Sequence, residues 1–208
     1  MAVGYPDLVE FVQRASGHPG RIAILAGSFN PPTIAHMELL RAGGAESDET
    51  ICVLPTEFPH KDYSGATLAQ RLEMLRVAIG TLDVRCSIAT SNKGLFIDIA
   101  RECRSLFGPS AAISLLCGMD AAERILTWNY ERAEVVEEML DEFELLVAPR
   151  GSVYHPPAHL VRRIRPLPIG GHFHAVSSTE VRQRIRRGEP WQHLVPTPIL
   201  ELVSEIYS

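Results

Sequence analysis

Lysine is nearly missing from this chain: of 20 basic residues only Lys61 and Lys93 are lysines, and 25 acidic residues leave a net charge of −5. Affinity for nucleic acid comes largely from neutralising phosphates, so the overall charge argues against a general nucleic-acid binder. Cysteine is also scarce. The four cysteines, at 52, 86, 103 and 117, show no CxxC or other metal-like spacing, which points to buried, reduced thiols in a cytoplasmic protein rather than a zinc module. No apolar run approaches the roughly 20 residues of a membrane helix; "AAISLLCGM" (111–119) is among the longest. The opening "MAVGYPDLVE" has no basic stretch ahead of an apolar core and is not expected to act as a signal peptide. Neither GxGxxG nor GxxxxGK(S/T) occurs, which removes the two commonest phosphate-cradling fingerprints. Internal repeats and low-complexity linkers are missing too.

What is present is enough apolar material for a substantial core, 46% of 208 residues. Strand-like runs fall at 21–26, 50–55, 111–117, 143–148 and 163–167, with helical periodicity clearest at 67–79, 95–107 and 131–140. Short apolar strands alternating with helices predict an α/β domain, a doubly wound Rossmann-like parallel sheet with helices on both faces. Residues 1–20 ("YPDLVEFVQRAS" within them) read as an N-terminal helical extension, 21–208 as the main domain, and about 170–208 as its small helical C-terminal part. Residues 1–150 hold 13 basic against 21 acidic residues, whereas 151–208 hold 7 against 4, all seven being arginines. Such a cluster on an acidic chain suits a small anion, because the guanidinium fork matches phosphate oxygens.

Two stretches carry chemistry. "GSFNPPTIAH" (27–36) follows the first strand, at the edge where α/β sheets bind ligands. Gly27 permits a tight turn and close ligand approach, Pro31 and Pro32 end the strand, and Thr33 is a good helix N-cap. Thr33 and His36 share one face of the first helical turn, where free N–H groups and the dipole favour an anion. In "AVSSTEVRQRIRRG" (175–188), Ser177 and Glu180 form a capping box and Gly188 closes the helix. Ser178, Thr179 and Arg182 then cluster at that helix's positive end. The remaining histidines, His155, His159, His172 and His174 among them, show no ligand set and read as loop or surface residues.

"GSFNPPTIAH" resembles the G-x-F-x-P-x-(H/T)-x-G-H signature of the nucleotidylyltransferase superfamily, with Ala35 in the glycine position. "VSSTEVR" is similar to that superfamily's I-S-S-T-x-I-R motif. "PTEFPHKDY" (55–63), Arg71 in "LAQRLEML", "GMDAAERILTW" (118–128), "LLVAPRG" and the tail "LVPTPILELVSEIY" narrow the resemblance to nicotinate (or nicotinamide) mononucleotide adenylyltransferases, over about 21 to 207. The resemblance implies that Thr33, His36 and Arg182 are catalytic, the first two on the α/β phosphates and the last on the β/γ end. It places Gly27, Ser28, Phe29, Asn30, Gly118, Asp120, Ser178 and Thr179 on ATP, and Lys61, Arg71, Phe96, Trp128 and Arg150 on the acceptor, with Trp128 stacked on the pyridine ring.

The implied reaction is in-line attack of the acceptor's 5′-phosphate on the α-phosphorus of ATP. No general base is required, and Mg²⁺ arrives on the ATP phosphates without a protein cage. The implied partners are therefore ATP and a mononucleotide, with no nucleic acid and no membrane; a homo-oligomer is open. One departure stands out. Bacterial relatives carry a polar Ser-Tyr-Thr where this chain has "KGLFIDIA" (93–100), so Leu95 and Phe96 replace hydroxyl donors. Losing such donors costs about 1–3 kcal/mol of discrimination, unless Phe96 stacks on a ring instead. The alternatives are another acceptor or nucleotide, as in pantetheine-phosphate adenylyltransferases or cytidylyltransferases, and a non-catalytic nucleotide-binding module.

Overall fold

The computed structural model describes residues 9–56, 65–130, 134–149 and 154–208. Among the described residues, seven strands form one sheet: β1 (Val9–Gln13), β2 (Arg21–Ala26), β3 (Glu49–Pro55), β4 (Cys86–Ser91), β5 (Ala112–Gly118), β6 (Glu144–Ala148) and β7 (Ile164–Pro166). Their order is β1-β4-β3-β2-β5-β6-β7. All neighbours run parallel except β1, which pairs antiparallel with β4. Helices α1 (Ile34–Glu46), α2 (Leu68–Ile79), α3 (Phe96–Phe107), α4 (Met119–Thr127), α5 (Val135–Glu142), α6 (Ser178–Arg187) and α7 (Leu200–Tyr207) cover both faces.

Strand periodicity divides the core. Ile22, Ile24, Ile51 and Val53 point to the face covered by α3, α4 and α5, where Ile99, Cys103, Ile125 and Met139 meet them. Ala23, Leu25, Cys52 and Leu54 point to the other face, with Leu40 of α1, Met74 and Leu75 of α2, Val181 of α6 and Val203 of α7. Helix α1 lies close on the sheet: a Cβ at Gly43 would stand 2.5 Å from a methyl of the buried Leu116, so any larger residue would have to displace that side chain, which favours glycine despite its poor helix propensity. The four cysteines are buried and free.

Two sequence expectations are corrected. The helix expected within 1–20 is instead strand over Val9–Gln13, where Val9 is buried and Val12 exposed. The apolar spacing Leu8, Val9, Val12 suits a helix, but β4 presents an edge of open amide groups, and pairing with it outweighs local periodicity. Residues 1–8 lie outside the described residues. The second correction is β4 itself, which the sequence pattern did not reveal. "CSIATS" is polar yet interior, and its buried hydroxyls find partners: Ser87 Oγ donates to Glu49 at 2.5 Å and Ser91 Oγ to Glu102 at 3.0 Å.

Candidate active site

Strand order reverses at β2: β3 and β4 lie on one side of it, β5 to β7 on the other. A crevice opens beyond the carboxyl ends of the two strands that flank such a switch point. Here two adjoining cavities of about 230 and 210 Å³ occupy it. Ala26, Gly27, Ser28, Cys117 and Gly118 wall the first, and Thr33, Asp120, Pro149, Ser177 and Ser178 the second. His36, Ala121 and Arg124 border both.

The loop between β2 and α1 is strained and heavily tied down. Gly27 N–H extends the ladder to Val53 O at 3.0 Å. Phe29 then takes φ 45°, a left-handed conformation that costs a non-glycine residue about 1–3 kcal/mol. Its ring, 1% exposed, anchors the turn in the core and packs 5.1 Å from the His36 ring. Arg71, also buried, donates to the Ser28 carbonyl at 3.1 Å. Asn30 accepts from Ala66 N–H at 3.2 Å and from the Tyr207 hydroxyl. Helix α6 closes the clamp: Ser178 Oγ donates to the Pro31 carbonyl at 2.7 Å and Arg182 Nη1 to the Asn30 carbonyl at 2.5 Å. Two helix starts separated by some 145 residues of chain thus meet on one loop.

Thr33 is fully buried and caps α1. The partner in its capping box is unusual, since His36 occupies the position where glutamate or glutamine is common. Thr33 N–H donates to His36 Nδ1 at 3.0 Å, and Thr33 Oγ1 stands 2.8 Å from the same nitrogen. A backbone N–H can only donate, so Nδ1 is the acceptor and the ring hydrogen sits on Nε2. Burial pushes the His36 pKa down from 6.5 to about 4. At neutral pH the imidazole is therefore an uncharged Nε2–H donor on the wall between the cavities. The folded state binds this proton more weakly than the unfolded chain. His36 thus contributes stability fully present above pH 6.5 and lost as pH falls toward 4. NMR titration of the free protein should give a His36 midpoint near 4, and adding ATP should raise it, because phosphate charge favours the imidazolium. A free-protein midpoint between 6 and 7 would contradict the assigned tautomer and burial.

Helix α6 keeps only half of its expected capping box. Ser177 Oγ accepts from Glu180 N–H at 3.1 Å, but the Glu180 carboxylate turns to Arg184 at 2.6 Å. Gly188 closes the helix in the left-handed conformation (φ 65°), as the sequence predicts. At the far end of the crevice, Gly94, Leu95, Phe96, Arg124, Ile125, Trp128 and Tyr130 form a small apolar pocket. Burial there pushes the Tyr130 hydroxyl up to about 12.

Among the sequence-predicted residues, Gly27, Ser28, Thr33, His36, Phe96, Gly118, Asp120, Trp128 and Ser178 border these cavities. Phe29, Asn30 and Arg71 do not. Phe29 and Asn30 are buried within the loop and Arg71 is buried against it, and all three brace it. Arg182 and Thr179 lie beside the loop, with Arg182 Nη2 3.4 Å from Thr179 Oγ1. Lys61 and Arg150 fall outside the described residues. Sequence reasoning missed Arg124, although it stands one helical turn after Asp120 on the same side of α4, four residues before Trp128 at that helix's C-terminal cap. It also missed Phe173 and His174, which wall the second cavity from a single 3₁₀ turn (Gly171–Phe173) too short to show periodicity. Among the described residues, no group of three His, Cys, Asp or Glu is placed to hold a metal ion, and no helix is long and apolar enough to cross a membrane.

The sequence profile of the cytidylyltransferase-like family matches residues 24–184, a span that takes in both helix starts. The chain belongs to that family. Among similar members, a probable nicotinate-nucleotide adenylyltransferase of Anaeromyxobacter dehalogenans is 31% identical over 195 residues, covering 88% of this chain and 94% of the relative. One of the same description from Exiguobacterium sibiricum is 29% identical over 192 residues, covering 89% and 96%. The fold is shared with the Plasmodium falciparum nicotinic acid mononucleotide adenylyltransferase solved in complex with NaAD. Its TM-score is 0.72 at 16% identity, over 89% of this chain and 95% of that one.

Proposed function

We propose that this protein transfers the adenylyl group of ATP to the 5′-phosphate of nicotinate mononucleotide, a step of NAD biosynthesis. An oxygen of the acceptor phosphate attacks the α-phosphorus, the bond from that phosphorus to the bridging oxygen breaks, and pyrophosphate leaves with the electron pair. The single observation that carries this reading is the docking of α6 on the β2–α1 loop, through Ser178 to Pro31 and Arg182 to Asn30, directly before the Thr33–His36 cap. That arrangement supports a site in which the neutral N–H donor and the Ser178 hydroxyl on the cavity wall, with the Arg182 guanidinium beside the loop, serve one ligand. All donate hydrogen bonds, as the oxygens of a transferring phosphoryl group require.

The acceptor phosphate is ionised at neutral pH, so a neutral His36 fits a positioning donor rather than a base. The same donor chemistry suits phosphate oxygens rather than a metal ion. Mg²⁺ therefore belongs on the triphosphate, where it supplies charge neutralisation. The curated relatives of both bacteria carry this activity in their names, and the pocket of Phe96, Trp128 and Tyr130 suits a flat ring better than the flexible arm of phosphopantetheine.

Purified protein with ATP and Mg²⁺ should release pyrophosphate when given nicotinate mononucleotide, and far less with phosphopantetheine. Turnover of phosphopantetheine alone would overturn the reading in favour of another acceptor. No turnover with any mononucleotide would leave a nucleotide-binding module.

A further inference from the structure

We propose that Arg124 reads the ring carboxylate of the acceptor and makes the enzyme select nicotinate over nicotinamide mononucleotide; this rests on the function proposed above. The aromatic pocket is the place for the pyridine ring; Leu95 and Phe96 are apolar at the start of α3, and the hydroxyl in the pocket's lining is that of Tyr130, an uncharged group. No side chain caps that helix. Its free N–H groups are weak readers of an anion, because Asp98 in the first turn offsets the helix's positive end.

A carboxylate on a ring lodged against Phe96 and Trp128 therefore needs a cation from elsewhere. Arg124 is the basic residue bordering that pocket, and it also borders both larger cavities, which places it where the ring site joins the crevice. Among the described residues, no carboxylate pairs with it. Arg21, Arg76, Arg101, Arg165 and Arg184, by contrast, have acidic partners. An exposed arginine with an unused fork beside an apolar slot can take a carboxylate with two parallel hydrogen bonds. A carboxamide carries no charge and brings its own N–H donors, one of which would face the guanidinium. The site therefore discriminates by what it attracts and by what it leaves badly paired.

The test compares kcat/KM for nicotinate and nicotinamide mononucleotides in the wild type, Arg124→Gln and Arg124→Lys, with melting temperatures alongside. The wild type should prefer the acid. Arg124→Gln should lose about 30- to 100-fold on the acid and less than about threefold on the amide, and Arg124→Lys should fall between. An equal loss on both acceptors would overturn the inference, since Arg124 would then serve a phosphate or the fold. So would unchanged selectivity in both variants, or a wild type indifferent to acid and amide while active on both. Activity confined to phosphopantetheine in the wild type would instead refute the proposed function, whatever the variants do.

Discussion

His36→Ala is expected to lower kcat about a thousandfold while the protein stays folded. Removing one preorganised donor from a developing oxyanion typically costs about 10²- to 10³-fold, and His36 is a neutral Nε2–H donor between the two cavities. The same ring also caps α1, so alanine should destabilise the fold by about 1 kcal/mol. His36→Gln separates the two roles. Glutamine is a usual partner of threonine in a capping box and should restore most of the lost melting temperature. Its amide cannot reproduce the reach and aim of Nε2, so activity should remain low. Parallel recovery of stability and turnover in His36→Gln would show that the histidine matters only as a cap.

Arg182→Ala is expected to lower kcat about 10²- to 10³-fold, with a smaller rise in KM for ATP. Its guanidinium stands 2.5 Å from the Asn30 carbonyl and near Thr179, on the α6 start proposed to take the pyrophosphate end. Charge accumulates on the leaving pyrophosphate as the reaction proceeds, so the interaction strengthens toward the transition state. Synthesis of ATP from the dinucleotide and pyrophosphate should fall by the same factor as the forward reaction at subsaturating substrates, because a mutation cannot move the overall equilibrium. The outcome against this role is a large rise in KM with kcat unchanged, which would mark Arg182 as a holder of the ground state alone.

How much was legible beforehand depended on how local the cause was. β2 and the runs of β3, β5 and β6 were readable because interior parallel strands are continuous apolar stretches. The starts of α1 and α6 were readable because threonine and serine caps act within three residues. β4 was not, since its serines and threonine look like a loop until Glu49 and Glu102 arrive from other elements to satisfy them. Phe29, Asn30 and Arg71 share this lesson. Motif position marks them as site residues, and only burial and long-range hydrogen bonds reveal them as the brace of the loop that carries Thr33 and His36.

By itself the sequence determined the layered α/β class, the two side-chain-capped helix starts and the family to which they belong, because caps, periodicity and motif spacing are properties of neighbours along the chain. Tertiary structure alone decided that Val9–Gln13 joins the sheet, that α6 docks on the β2–α1 loop, and that Arg124 stands between ring pocket and crevice. The physical reason is that each of these depends on a partner far away in the chain. An open strand edge, a bare carbonyl or an unpaired guanidinium becomes informative only when folding shows what stands opposite it.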